Sequence, residues 1–319
     1  MSSPAKLEAA HGEFQVEVAR EGAAPGTPTA SSPGKKSKGT PFLSSPVFHE
    51  YFPDFFQPEV WKASLGELLG TGSLVFMIDS IVISTYEMNF QSPNLVLATL
   101  IAIIVATLLI ALAPISGGHI NPVVTFSAAL MGLISFSRAF LYIVAQCVGA
   151  MFGALALRAM VSHVIEDTYS LGGCTLTIVS PSPFGPVMTR LDMSRALCLE
   201  IASSFLFLFA SMWMAFDARQ GKRLGHVLVC SYVGLVLGFL VFISVTVTGT
   251  RGYTGAGINP ARCLGPAIVR GGHLWDGHWV FWVGPAFGCV AFYLCTKFIP
   301  QQHVKHVERI IRNVTSLIF

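Results

Sequence analysis

Two short stretches of the sequence carry residues that could bind small polar molecules. The first reads Ser-Gly-Gly-His-Ile-Asn-Pro-Val over residues 116–123, and the second reads Thr-Gly-Ala-Gly-Ile-Asn-Pro-Ala over residues 254–261. Asparagine is a favoured helix N-cap, and proline is favoured at the first helical position. Each stretch therefore predicts a loop that turns into a helix at its proline. When the side-chain oxygens of Asn121 and Asn259 cap these helices, their amide NH2 groups remain as hydrogen-bond donors.

Each of these loops is followed by a short apolar run. The runs cover residues 124–133 and 264–269, and each is about half of the ~20 residues that a helix needs to cross a bilayer. Interrupted helices at membrane depth are tolerated only where they are buried in protein or line a water-filled cavity. Two capped half-helices in a membrane chain therefore predict a re-entrant pair that meets near the midplane.

The composition of the 319-residue chain indicates a membrane protein. Hydrophobic residues make up 53% of it and charged residues only 12%, whereas soluble domains carry roughly 25% charged residues. The formal net charge of +3 is spread thinly and gives no basic patch of the kind that binds nucleic acid. The partners expected are membrane lipid and small molecules, with no nucleic acid.

Six longer apolar runs predict membrane-spanning helices. The predicted fold is an all-α membrane protein with six transmembrane helices and two re-entrant half-helices. A polar tail over residues 1–46 precedes the membrane domain at 47–300, and a second tail covers 301–319. The N-terminal tail is too polar to fold by itself and is predicted to be disordered. The predicted spans are residues 61–85, 95–115, 140–161, 195–214, 227–247 and 279–298.

The membrane domain repeats itself in two halves, over about residues 61–161 and 195–300. Glu67 opens the first span of one half, and Glu200 opens the first span of the other. Three spans in each half force the second half to run inverted, an arrangement typical of transporters and channels. The basic segments then fall on one side of the membrane, which predicts that both termini are cytoplasmic.

The paired Asn-Pro loops, the glutamate at the start of each half and the six spans resemble the major intrinsic protein family, the aquaporins and aquaglyceroporins. Continuation of the second motif as Asn-Pro-Ala-Arg makes the resemblance specific, and it covers residues 61–300. Three features are most similar to the X-intrinsic proteins: Val123 in place of alanine in the first Asn-Pro-Ala, Cys263 after the second motif, and Cys174 in a Leu-Gly-Gly-Cys segment.

This resemblance implies a homotetramer in the plasma membrane, with one pore in each subunit and with no cofactor or metal. Its pore motifs are Asn121, Pro122 and Val123 in the first loop, and Asn259, Pro260 and Ala261 in the second. The two half-helix N-termini each carry about half a positive charge, which would oppose cations and protons. Capping alone is the alternative role for the two asparagines.

The resemblance also places a selectivity filter at Ile101, Val247, Ala256 and Arg262. Water-selective relatives carry a histidine at the Val247 position and an aromatic residue at the Ile101 position. An apolar wall opposite one arginine suits small amphipathic solutes, so glycerol, urea, boric acid and hydrogen peroxide are expected, with water conduction left open. An arginine in the membrane is a functional candidate, although Arg262 could also serve to pin its loop by bonding carbonyl groups.

Two other functions stay open from the sequence. One is a channel that conducts mainly water. The other is a secondary transporter, which should carry ion-coordinating carboxylates near the broken helices. No nucleophile–base pair or metal-binding spacing is present, so an enzyme is not expected.

The remaining polar candidates have two interpretations each. Glu67 and Glu200 either anchor the re-entrant loops, as the resemblance implies, or relay protons. His119 either packs its loop or senses pH. Asp79 lies deep in the first span without an assigned role.

The two loop cysteines are possible redox sites. Cys174 could form a disulfide with its own copy in a neighbouring subunit, or remain a free or metal-contacting thiol. Cys263 marks the subfamily.

Overall fold

A computed structural model describes residues 53–180, 187–216, 218–248 and 254–298. The predicted tails at 1–46 and 301–319 lie outside these residues. The helices are α1 (Pro58–Glu87), α2 (Pro93–Ser116), α3 (Pro122–Leu130), α4 (Phe136–Arg158), α5 (His163–Tyr169), α6 (Met193–Phe216), α7 (Ala218–Val247), α8 (Pro260–Arg270) and α9 (Val280–Phe298).

Six of the described helical segments are long and apolar enough to span a membrane, namely α1, α2, α4, most of α6, residues 224–247 of α7, and the segment of residues 272–298 that contains α9. The predicted class, six transmembrane helices with two half-helices, is confirmed. Their ends differ from the predicted ends by a few residues, because caps and interfacial turns extend a helix beyond its apolar run.

The connection between the halves is more ordered than its Gly-, Pro- and Ser-rich sequence suggests. It contains α5 and two short antiparallel strands, β1 (Thr177–Ser180) and β2 (Val187–Arg190), in which Thr177 pairs with Arg190. The sequence does not predict this hairpin. Residues 163–190 are called the outer loop below.

The half-helices begin at their prolines. Asn121 and Asn259 are the N-caps, with extended backbone at φ −158° and −126°. Helix α8 ends at Arg270, and Gly271 follows as its C-cap with φ +73°, where a side chain would be strained. These boundaries follow from local sequence, since cap and proline act within one turn.

Glycines let the helices of each half approach closely. A Cβ atom at Gly149 or Gly153 of α4 would collide with the backbone oxygens of Leu68 and Gly72 in α1. A Cβ atom at Gly284 of α9 would likewise collide with the side chain of Glu200 in α6. Small residues therefore serve contacts inside the subunit, and they hold the two glutamate-bearing helices against their partners.

Candidate functional site

The two Asn-Pro loops meet and are cross-linked by their asparagines. The amide nitrogen of Asn121 donates to the carbonyl oxygen of Ile258 at 3.2 Å, and that of Asn259 donates to the carbonyl oxygen of Ile120 at 2.9 Å. The pairs are separated by 137 and 139 residues in sequence. These bonds fix the N-termini of α3 and α8 against one another.

The asparagine oxygens cap the half-helices. That of Asn121 accepts from the backbone N–H of Val123 at 2.9 Å, and that of Asn259 accepts from those of Ala261 and Arg262 at 3.1 and 3.2 Å. The sequence predicts that both N–H bonds of each amide are available to a passing molecule. This prediction is wrong in part, because one N–H of each pair bonds the opposite loop, which leaves one donor per asparagine.

The isoleucines that precede the asparagines adopt left-handed backbone. Ile120 has φ +41° and Ile258 has φ +55°, a region that β-branched residues rarely enter. Such a conformation costs on the order of 1–3 kcal/mol and persists where its surroundings impose it. Here it turns each carbonyl toward the opposite asparagine. The sequence interpretation missed this feature, because a β-branched residue gives no local signal for left-handed backbone.

Glu67 holds the first loop through a set of four donors. Its carboxylate accepts from the backbone N–H groups of His119 at 2.9 Å and Ile120 at 2.6 Å. It also accepts from the hydroxyl of Ser116 at 2.6 Å and from the amide of Gln146 at 2.7 Å. Bonds to an ionised acceptor are about twice as strong as neutral ones, so this buried side chain ties α1, α4 and the loop together.

His119 is buried inside the first loop. Its Nδ1 lies 3.1 Å from the hydroxyl oxygen of Thr125, and its ring meets the ring of Tyr142 edge-on, with centroids 5.5 Å apart. The hydroxyl of Tyr142 in turn donates to the Ser116 carbonyl oxygen at 2.9 Å. These contacts favour the packing interpretation of His119 over pH sensing.

Glu200 occupies the matching position in the second half with a smaller set of contacts. It accepts from the backbone N–H groups of Gly257 at 2.5 Å and Ile258 at 3.1 Å, and it is fully buried. Among the described residues, no side-chain donor accompanies these two bonds. Both glutamates thus face loop N–H groups, which favours anchoring over proton relay.

Arg262 is held against the outer loop and α1. One guanidinium nitrogen donates to the carbonyl oxygen of Gly172 at 2.7 Å, and the other lies 2.6 Å from the sulfur of Cys174. The first nitrogen is also 3.4 Å from a carboxylate oxygen of Asp79, which is fully buried. Asp79, without an assigned role from sequence, is therefore part of the site.

The two loop cysteines are joined within one chain. A disulfide links Cys174 of the outer loop to Cys263, the residue after Arg262. The predictions of a Cys174 bridge between subunits, or of a free or metal-contacting thiol, are wrong. The long-range contact of residues 172–175 with the second loop brings the two sulfurs together, and seven cysteines in a sequence do not reveal their pairing.

Further hydrogen bonds join the outer loop to the second loop. The backbone N–H of Thr175 donates to the hydroxyl oxygen of Thr254 at 3.0 Å, and the N–H of Thr254 donates to the carbonyl oxygen of Thr175 at 3.4 Å. The second loop is thus bound to residues 172–175 over a short run of residues.

Three of the four predicted filter residues are buried, and the fourth is not. Ile101, Ala256 and Arg262 are 4%, 7% and 8% exposed, whereas Val247, the last residue of α7, is 62% exposed. Ser244, one turn earlier, contacts the second loop, and its hydroxyl accepts from the N–H of Ala256 at 3.0 Å. The structure does not show Val247 packed with the other three, and its place in the filter stays a prediction.

Comparison with known proteins identifies the family of this chain. Residues 54–294 match the family model "Major intrinsic protein". Aquaporin PIP1-1 of Arabidopsis thaliana is 34% identical over 271 residues, which cover 80% of this chain and 87% of the relative. Probable aquaporin PIP1-2 of Oryza sativa subsp. japonica is 40% identical over 177 residues, or 55% and 56% of the two chains.

A solved structure shares the fold. The aquaglyceroporin from Plasmodium falciparum superposes with a TM-score of 0.59 at 20% identity, covering 74% of this chain and 94% of its own. That likeness bears on the fold alone. The family match covers most of the chain, and the chain therefore belongs to the major intrinsic protein family, whose members are channels and not enzymes.

Proposed function

We propose that this channel conducts small uncharged solutes, namely glycerol, urea, boric acid and hydrogen peroxide, together with water, and excludes ions and protons. The observation that carries the proposal is the position of Arg262, whose guanidinium is fixed by Gly172 and Cys174 in the first turn of the second half-helix. An arginine has five N–H donors, so donors remain for a hydroxyl or carbonyl group of a solute.

The apolar side of the filter comes from Ile101 and Val247. An amphipathic solute would place its CH groups against these side chains and its polar groups against Arg262. Neither position carries the larger aromatic or imidazole ring that narrows water-selective filters, which favours solutes larger than water.

Ion exclusion is assigned to the meeting point of the half-helices. The N-termini of α3 and α8 direct their partial positive charges to one place. One remaining N–H on Asn121 and one on Asn259 would donate to each passing oxygen. A cation would find hydrogen-bond donors here in place of acceptors, and the positive ends of the two helix dipoles would repel it.

A channel mainly for water is the second candidate. The named plant relatives are all aquaporins by title, which favours water conduction. A coupled transporter is supported less well, because the carboxylates of Glu67 and Glu200 beside the broken helices bond loop N–H groups and offer few oxygens to an ion.

Replacement of Val247 by histidine tests the filter. The Val247→His ring would add bulk and a hydrogen-bonding group opposite Arg262, which opposes glycerol and urea more than water. Stopped-flow measurements on proteoliposomes should show a lower glycerol-to-water permeability ratio. Phe239→His, at another exposed position of α7, is the control. An unchanged ratio in Val247→His would remove Val247 from the filter and leave the water channel as the better assignment.

The finer classification is also a proposal. We infer an X-intrinsic type of channel from Val123 and from the Cys174–Cys263 bridge, which joins two of the three residues that mark this resemblance. A homotetramer in the plasma membrane with cytoplasmic termini fits the family and the distribution of basic residues. Size-exclusion chromatography with light scattering tests the tetramer, and protease access to terminal tags in intact cells tests the orientation.

A further inference from the structure

The carboxylate of Asp79 is an unusual neighbour for the arginine of a filter. It lies inside α1, is fully inaccessible, and has no hydrogen-bond partner among the described residues. A buried carboxylate without compensation is strongly unfavourable. Among the described residues, the guanidinium of Arg262 approaches this carboxylate, with one nitrogen 3.4 Å from a carboxylate oxygen.

The packing around Asp79 leaves it little freedom to turn elsewhere. Gly172 of the outer loop sits directly on it, and a Cβ atom at Gly172 would come within 2.7 Å of both the backbone and Cβ of Asp79. The carbonyl oxygen of the same glycine accepts from Arg262. One glycine thus holds the aspartate and the arginine on the same side of the site.

We propose that Asp79 is a specificity-determining residue of the filter, which holds the guanidinium of Arg262 against the wall of α1 and cancels its charge. The inference rests on the proposed assignment of Arg262 to the filter. A compensated filter selects by size and hydrogen bonding, as suits neutral solutes. Cation exclusion then depends on the half-helix N-termini more than on a free arginine charge.

The charge balance makes the two single substitutions act in opposite directions. Arg262→Leu would leave an unpaired carboxylate beside the permeation path, which attracts cations. Asp79→Asn, of nearly equal size, would leave an unpaired guanidinium, which repels them. Removal of both charges would restore neutrality. A residue that merely supports the fold would not give this pattern. In that case the double variant would leak more than either single variant, because the effects of two structural defects add.

The experiment is a double-mutant cycle in proteoliposomes of the purified full-length channel. Proton and methylammonium influx and the glycerol-to-water permeability ratio are measured for the wild type, Asp79→Asn, Arg262→Leu and the double variant. Ser80→Ala, next along α1, is the control, since its hydroxyl bonds the Phe76 carbonyl within the helix. The solute ratio is independent of how much protein is incorporated.

We expect Arg262→Leu to raise cation influx roughly tenfold or more, the effect of one uncompensated charge a few ångströms from the path. The double variant should lose most of that increase, and Asp79→Asn should leak no more than the wild type. Ser80→Ala should match the wild type in both measurements.

Two other outcomes are distinguishable. A double variant that leaks as much as Arg262→Leu, or more, overturns the role of Asp79 and leaves the filter assignment standing. Arg262→Leu with unchanged influx and an unchanged solute ratio overturns the filter assignment itself, and the role of Asp79 with it.

Discussion

The two re-entrant loops share a motif but are held in place by different means. The first loop is fastened within its own half, by the Glu67 carboxylate and the donors of Ser116, Gln146 and the loop backbone. The second has only two loop N–H groups on Glu200 among the described residues. It gains further supports from Ser244 of α7 and from the outer loop, through the Cys174–Cys263 disulfide and the bonds of Arg262.

This difference separates the requirements of the two loops. The first needs one buried charge and its hydrogen-bonded partners. The second needs an oxidising compartment for its disulfide and an outer loop of the right shape. Since Arg262 lies in the first turn of α8 and bonds the outer loop, changes to the outer loop should reach the proposed filter. Changes to the Glu67 network should instead affect the stability of the whole domain.

The largest expected effect comes from Glu67→Gln. The substitution turns one of the two acceptor oxygens into an NH2 donor, so two of the four bonds lose their acceptor. At roughly 1.5–3 kcal/mol for each bond to a charged group, we expect a loss of about 3–6 kcal/mol. Glu200→Gln should cost about half as much, because one of its two bonds loses its acceptor. Thermal unfolding in detergent measures both. Glu59→Gln, at an exposed surface pair with Lys62, should be neutral, and equal losses at Glu67 and Glu200 would contradict the contrast.

The second-largest loss of stability is expected when the disulfide is removed. A cross-link between cysteines 89 residues apart raises the free energy of the unfolded chain by about 4.6 kcal/mol in the chain-entropy model. Cys174→Ser should lower unfolding stability by up to this amount and change the glycerol-to-water ratio, whereas Cys198→Ser, at an exposed free thiol, should change neither. On gels, reduction should shift the monomer band, and a reducible dimer would contradict the intrachain bond.

The asparagines should show a smaller contrast of the same kind. Asn259 caps two backbone N–H groups and Asn121 caps one, while each makes one bond to the opposite loop. Loss of an N-cap typically costs about 1 kcal/mol. We therefore expect Asn259→Ala to be more destabilising than Asn121→Ala in detergent unfolding. Equal losses, or the reverse order, would contradict the difference in capping.

The smallest effect is expected at the edge of the outer loop. The hydroxyl of Tyr169 donates to the Glu87 carboxylate at 2.6 Å, which raises the pKa of Tyr169 above its ordinary value of 10.0. A raised folded-state pKa gives stability that is present below pH 10 and lost as the pH rises through the folded value. Tyr169→Phe should be slightly less stable than the wild type at pH 8, and the difference should shrink above pH 10. A constant difference would exclude the hydroxyl as its cause.

Much of the fold follows from the sequence because its signals are local. Apolar run length, caps and prolines act within one or two turns, and they gave the class, the half-helices and the family correctly. The filter residues were predicted by counting back along the sequence from each Asn-Pro motif. This count assumes that the number of residues between motif and filter is the same as in the family. The exposed position of Val247 and the contact made by Ser244 show where such counting needs a structure.

The sequence by itself determined that this chain enters the membrane, repeats itself and starts two short helices at Asn-Pro, since hydrophobicity and capping depend on neighbouring residues. Only the tertiary structure decided which distant groups meet. The pairs Cys174 with Cys263, Asp79 with Arg262, and each asparagine with the opposite isoleucine join residues far apart in the chain. Their physical cause is close packing, which brings the outer loop, α1 and both re-entrant loops to one place, where a buried charge or polar group without a partner is unfavourable.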